Sequence, residues 1–108
     1  MKLLIQYGAD VNSRDRHGWT PLHEACRGHL DVVWLLLDHD ADVDAKMYVL
    51  WTPLHIAAAN GYLEVVKLLL ERGANVHLQD DEGKTPYQLA LMYSWSHIAR
   101  FLSENGAH

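Results

Sequence analysis

Cysteine is nearly absent: Cys26 stands alone, so neither an internal disulfide nor a multi-thiolate metal site can hold the fold. Basic charge is also scarce. Nine Lys and Arg against 14 Asp and Glu leave a formal charge of −5 with His neutral. The basic residues are scattered, which excludes the clustered cationic surface that nucleic acid requires. The apolar runs Tyr48 to Leu54 and Leu89 to Trp95 are far below the roughly 20 residues that cross a bilayer, so no membrane span is expected. The opening residues carry one lysine but no long apolar core and no small-residue cleavage site, so a signal peptide and export are not expected. There is no glycine-rich phosphate loop, no GxSxG and no helix with the paired histidines of a zinc protease. Neither an enzyme nor a cofactor is therefore expected. What remains is 108 residues, 49% hydrophobic and 21% charged, enough apolar material for one small folded domain and too much for a disordered chain.

The chain repeats itself. Thr20-Pro21-Leu22-His23, Thr52-Pro53-Leu54-His55 and Thr85-Pro86-Tyr87-Gln88 recur at steps of 32 and 33 residues. A second marker keeps the same period: Gly8-Ala9-Asp10-Val11-Asn12, Asp40-Ala41-Asp42-Val43-Asp44, Gly73-Ala74-Asn75-Val76-His77 and the final Gly106-Ala107-His108. A fixed period of this length is the mark of a stacked architecture. These two strings resemble the ankyrin repeat, whose pattern is a turn, TPLH, a small-residue helix, a second amphipathic helix, then GADVN. The resemblance covers essentially the whole chain. It implies an all-α repeat solenoid with helix-turn-helix units and β-hairpin or loop fingers, about three full repeats plus an N-terminal half repeat. The expected boundaries are a half repeat over 1–13, repeats over 14–45 and 46–78, and a C-terminal capping repeat over 79–108 within a single domain.

Local chemistry supports the pattern. Each Thr can cap the first helix through its hydroxyl, and Pro fits the first helical position, where its missing N–H costs nothing. Leu54, Ile56, Ala57, Ala58 and Ala59 make a narrow helix that Gly61 ends. Leu63, Val65, Val66, Leu68, Leu69 and Leu70 form an apolar stripe opposite Glu64, Lys67, Glu71 and Arg72, and Gly73 closes that helix in a left-handed turn. The resemblance implies that His23 and His55 bond the turns of adjacent repeats and are not metal ligands. Asp38, Asp40, Asp42 and Asp44 begin like a calcium loop, but from either Asp40 or Asp38 the required Gly and Glu are missing. Cys26 aligns with Ala58 on the buried side, where a thiol is inert. No metal is expected.

Each repeat also serves as a control for the others. The first finger reads Arg14-Asp15-Arg16-His17-Gly18-Trp19 and the third Gln79-Asp80-Asp81-Glu82-Gly83-Lys84, both with Asp and Gly. The middle finger reads Lys46-Met47-Tyr48-Val49-Leu50-Trp51, with Met for Asp and Leu for Gly. Leu in a left-handed turn costs roughly 1 kcal/mol or more unless the backbone rearranges. A substitution that does not help folding points to function. Met92 and Tyr93 replace Ala59 and Asn60, Ser94 replaces the helix-ending Gly, and Trp95 stands where Tyr62 and His29 stand.

Met47, Tyr48, Val49, Leu50, Trp51, Met92, Tyr93 and Trp95, with Trp19 in the column of Trp51, form the expected partner-binding surface, since exposed apolar patches with Trp and Tyr anchors mark such sites. Trp34, in the column of Lys67 and Arg100, is expected on the outer, solvated face. The first repeat is one residue shorter between His23 and its Gly than the second between His55 and Gly61. The resemblance implies a non-catalytic protein-binding module for a folded protein partner, with a homodimer through the same patch as the alternative. Surface-only aromatic departures on an ordinary repeat background also resemble artificial binders built on ankyrin repeats, the other origin being a natural scaffold fragment.

Overall fold

A computed structural model describes residues 11–47 and 49–107. The expected half repeat over 1–13 lies almost wholly outside the described residues, as does Tyr48. Six helices follow in order: α1 Pro21–Ala25, α2 Leu30–Asp38, α3 Pro53–Asn60, α4 Leu63–Glu71, α5 Pro86–Met92 and α6 Ser96–Glu104. They pair as α1 with α2, α3 with α4 and α5 with α6; α3 packs on both α1 and α5, and α4 on both α2 and α6. The result is a two-layer stack, the all-helical repeat solenoid that the resemblance implies. Among the described residues no strand is present, so the fingers are tight turns and not β-ribbons.

The first helix of each pair starts where TPLH places it. Thr20, Thr52 and Thr85 are extended N-caps whose hydroxyls accept from the backbone N–H three residues on, and Pro occupies the first turn. The capping box is completed in reverse by His23, His55 and Gln88, which accept from the Thr N–H groups. Gln88 thus keeps the capping function that its departure from the motif puts in question. Gly61 ends α3 at φ 82°, and Gly73 follows α4 at φ 89°. The second helices have no side-chain cap; their N-cap positions are His29, Tyr62 and Trp95.

The core lies between the layers. Leu22, Cys26, Leu54, Ala57, Ala58 and Ala90 from the inner helices meet Val33, Leu36, Val66, Leu69, Ile98 and Leu102 from the outer ones, all at most 1% exposed. Apolar area removed at roughly 25 cal/mol per Å² is the main favourable contribution to such a stack. The missing residue of the first repeat is absorbed after Cys26, which keeps the buried position of Ala58: α1 ends at Ala25, while α3 runs to Asn60. Burial pushes the Cys26 thiol far up, so it stays protonated.

Neighbouring repeats are also joined by aromatic rings laid over helix-ending glycines. Tyr62 lies over Gly28, where an added Cβ would sit 3.1 Å from its ring, and Trp95 lies over Gly61, where it would sit 2.8 Å away. At Gly61 both the positive φ and the ring leave room for glycine alone.

Candidate functional site

The described residues of the three fingers, 14–19, 46–51 and 79–84, share one hydrogen-bonding pattern. In each, the first N–H after the entry residue reaches the last carbonyl: Asp15 to Trp19 at 3.0 Å, Met47 to Trp51 at 3.1 Å, Asp80 to Lys84 at 2.8 Å. A second bond returns from Gly18, Leu50 and Gly83. Gly18 and Gly83 have φ of 81° and 80°, and Leu50 has φ 65°. The backbone has not rearranged around leucine. Asp40, at φ 68° in the column of Gly73, and Ser94, at φ 63° in the column of Gly61, likewise keep glycine's conformation.

Within the outer two fingers a carboxylate does the bracing. Asp15 Oδ1 accepts from the His17 and Trp19 N–H groups at 2.8 and 3.0 Å; Asp80 Oδ1 accepts from Glu82 and Lys84 at 2.9 and 2.8 Å. Asp15 is accordingly held below the usual carboxylate range, the His17 N–H contributing most. For Asp80 burial works against ionisation, but the N–H groups of Lys84 and Glu82 and the Trp51 indole outweigh it and hold its pKa low.

Met47 offers no such acceptor, and the middle finger is fixed by its neighbours. The Arg14 guanidinium donates to the Lys46 carbonyl, and the Asp81 N–H donates to the Val49 carbonyl at 3.0 Å. His23 Nε2 reaches the Trp51 carbonyl at 2.8 Å, and the Trp51 indole donates to Asp80 Oδ2 at 2.9 Å. His55 Nε2 makes the matching bond to the Lys84 carbonyl at 2.9 Å. Because Nδ1 of each histidine accepts from a Thr N–H, the neutral Nε2–H tautomer is the one that donates across repeats. Burial first lowers both imidazole pKa values; the accepting carbonyls offset only part of that. These histidines are structural, as the motif implies.

The structure brings most of the expected surface together around the middle finger. A depression of about 470 Å³ is lined by Trp19, Arg27, Met47, Val49, Trp51, Ile56 and Asn60. Beyond the finger, another of about 280 Å³ is lined by Val49, Trp51, Leu89, Met92 and Tyr93, with Asp80, Asp81, Glu82 and Lys84 at its edge. Val49, Leu50, Met92 and Tyr93 are 38, 41, 56 and 52% exposed. Trp51 is half-buried and stacks on His55 with 6.2 Å between centroids, and Trp19 meets His23 edge-on at 5.7 Å. Both tryptophans therefore divide their faces between core and groove.

Trp95 stands apart. It is half-buried over Gly61, and its indole donates to the Ala59 carbonyl at 3.0 Å. Trp34 is 47% exposed on the outer layer, where the Arg72 guanidinium lies 4.7 Å above its ring and also pairs with Asp38 at 2.7 Å. Tyr87 is partly buried against the core. Arg27, Asn60 and Leu89 line the depressions and were not among the expected site residues. Leu91 is also missed: it is 52% exposed in the column of the buried Cys26 and Ala58, and a large residue in a small-residue column was the available signal. Among the described residues no group of three or more His, Cys, Asp or Glu could hold a metal ion, and no helix is long and apolar enough to cross a membrane.

Comparison with known proteins gives two overlapping matches to repeat families. Ankyrin repeats (many copies) match residues 36–90, and Ankyrin repeats (3 copies) match residues 1–47. Among similar proteins, protein phosphatase 1 regulatory subunit 27 of Homo sapiens is 53% identical over 38 residues, 34% of this chain and 25% of that protein. Notch-regulated ankyrin repeat-containing protein A of Danio rerio is 45% identical over 38 residues, 34% of each chain. Glycerophosphocholine phosphodiesterase GDE1 of Candida albicans is 55% identical over 38 residues, but that segment is only 3% of its length. The chain thus matches between a few hundredths and about a third of the length of these relatives.

Proposed function

The chain belongs to the ankyrin repeat family, and on that premise we propose that it is a non-catalytic protein–protein interaction module recognising a folded protein through the apolar middle finger and the groove beside it. Ankyrin repeats are in general interaction modules, and the regulatory subunit among the relatives fits a protein partner. The observation that carries the reading is Leu50. It holds φ 65° where both other fingers use Gly, a conformation that costs leucine more than glycine, and stands 41% exposed. With Val49, Met92 and Tyr93 it forms the anchor group, Trp51 and Met47 forming the floor and Trp19 the flank, while Trp95 stands outside both depressions. Tyr48, between Met47 and Val49 in the sequence, belongs to the proposal by that place alone. The exposed aliphatic and aromatic departures Val49, Leu50, Met92 and Tyr93 on an ordinary repeat background support an engineered origin.

The test is a selection against a displayed library of folded domains, with affinities then measured by calorimetry. An enriched domain should bind the Leu50→Asp, Met92→Ala double variant at least about 30-fold more weakly, the equivalent of ~2 kcal/mol for loss of a central anchor. Unchanged affinity would remove the finger from the interface. Sedimentation equilibrium on the chain alone addresses the other occupant: a dimer abolished by the same variant would reassign the surface to a second copy.

A further inference from the structure

Charge changes sign across the apolar finger. On its first-repeat side stand Arg14, which spans from its own finger to the Lys46 carbonyl, exposed Arg16, and Arg27 on the wall of the larger depression; Asp15 is committed to the His17 and Trp19 N–H groups of its own turn, and exposed Lys46 opens the middle finger itself. Arg27 shares its charge with Glu24 at 3.3 Å, an exposed pair of small energetic weight. On the far side the smaller depression is edged by Asp80, Asp81 and Glu82 against Lys84 alone. Asp80 is committed internally, to two N–H groups and the Trp51 indole; exposed Glu82 pairs with Lys84 at 3.4 Å, again a pair of small energetic weight, and the Asp81 side chain is exposed. The apolar wall between them, Val49 and Trp51, is common to both depressions.

Resting on the reading above, we infer that the partner is a folded protein whose apolar contact is bordered by carboxylates where it covers the Arg27 depression and by Lys or Arg where it covers the Asp81–Glu82 depression. Apolar burial is non-directional and leaves a rotated pose almost as favourable. Opposite charges on the two sides of one apolar ridge remove that freedom, because turning the partner by half a revolution sets like charges against each other. Arg27, Asp81 and Glu82 are thus specificity-determining residues for the pose, and the apolar residues supply the affinity.

Three small probes test this without the partner in hand: N-acetyl-Trp-Lys-amide, N-acetyl-Trp-Glu-amide and neutral N-acetyl-Trp-amide, titrated into the isotope-labelled chain at low salt and followed through its backbone amide resonances. The lysine probe should perturb Asp81, Met92 and Tyr93, and the glutamate probe Arg27 and Asn60, each preferring its own side by about threefold or more. Asp81→Lys with Glu82→Lys should invert the preference on the far side, and Arg27→Glu that on the near side; circular dichroism confirms that these exposed replacements leave the fold intact. If all three probes bind both depressions alike, the charge inference falls and the apolar reading stands. Failure of the neutral probe to bind at all would sink the apolar reading itself. Self-association of the chain that charge reversal abolishes would replace the heterotypic partner with a second copy and overturn the inference.

Discussion

The third finger is braced from within and the second from without. Asp80 gathers two N–H groups of its own turn, and Gly83 takes the positive φ at no steric cost. The second finger has Met47 and Leu50 at those positions and follows the same path, tied to Arg14, His23, Asp80 and Asp81 of its neighbours. A repeat stack can therefore impose a backbone conformation that the local residues disfavour, because each turn is packed between two others. That frees the fingertip to carry side chains that the turn itself does not require.

The largest test of this comparison removes a tie between repeats. His55→Ala should cost about 3 kcal/mol in urea melts, since it empties a fully buried site, breaks the capping box and leaves the Lys84 carbonyl without its donor. Acid probes the same device. His23 and His55 have folded pKa values below 6.5, so the unfolded chain binds protons there that the folded chain does not. Stability should be full above about pH 6.5 and fall as pH drops through that value toward the depressed folded pKa values, with a further loss below the ordinary carboxylate value of 3.8 as Asp15 and Asp80 protonate. In pH-stepped urea melts, His55→Ala should flatten the upper of these two declines.

Asp80→Ala comes next, at about 2 kcal/mol, because it unties its own finger and the Trp51 indole together. Asp15→Ala should cost visibly less, since Asp15 braces one turn and makes no bond to another finger. Equal costs in the same melts would contradict the division between inner and outer bracing. Smaller still are the mirrored glycine exchanges. Leu50→Gly should stabilise and Gly83→Leu should destabilise by about 1 kcal/mol each. Nothing lies within 4 Å of a Cβ added at Gly83, so only the backbone conformation is at stake there. Met47→Asp, which restores the internal acceptor, should gain about 0.5 kcal/mol by the same measurement.

The fold was legible because its determinants are local and repeated. Thr caps, Pro at the first turn and Gly at helix ends act within a few residues, and the period announces which residues are equivalent. The middle finger was legible for the same reason, as a departure from a pattern the chain itself supplies. What the sequence could not show is how bonding capacity is spent between repeats. Trp51 and Trp95 read as members of the partner-binding surface, with a structural role for Trp51 left open, yet each indole donates to a group 29 or 36 residues away, and both rings are half-buried. Arg27, which follows the short α1, lines the groove; the missing residue of the first repeat pointed to this place, but the spacing left its structural outcome open.

Trp51 is gripped at two points, its carbonyl by the repeat before it and its indole by the repeat after it. A pull on the fingertip is therefore a pull on three repeats at once, shared out along the row before any one helix pair carries it. Under tension from a bound partner, the contact surface should let go while the stack beneath it stays whole.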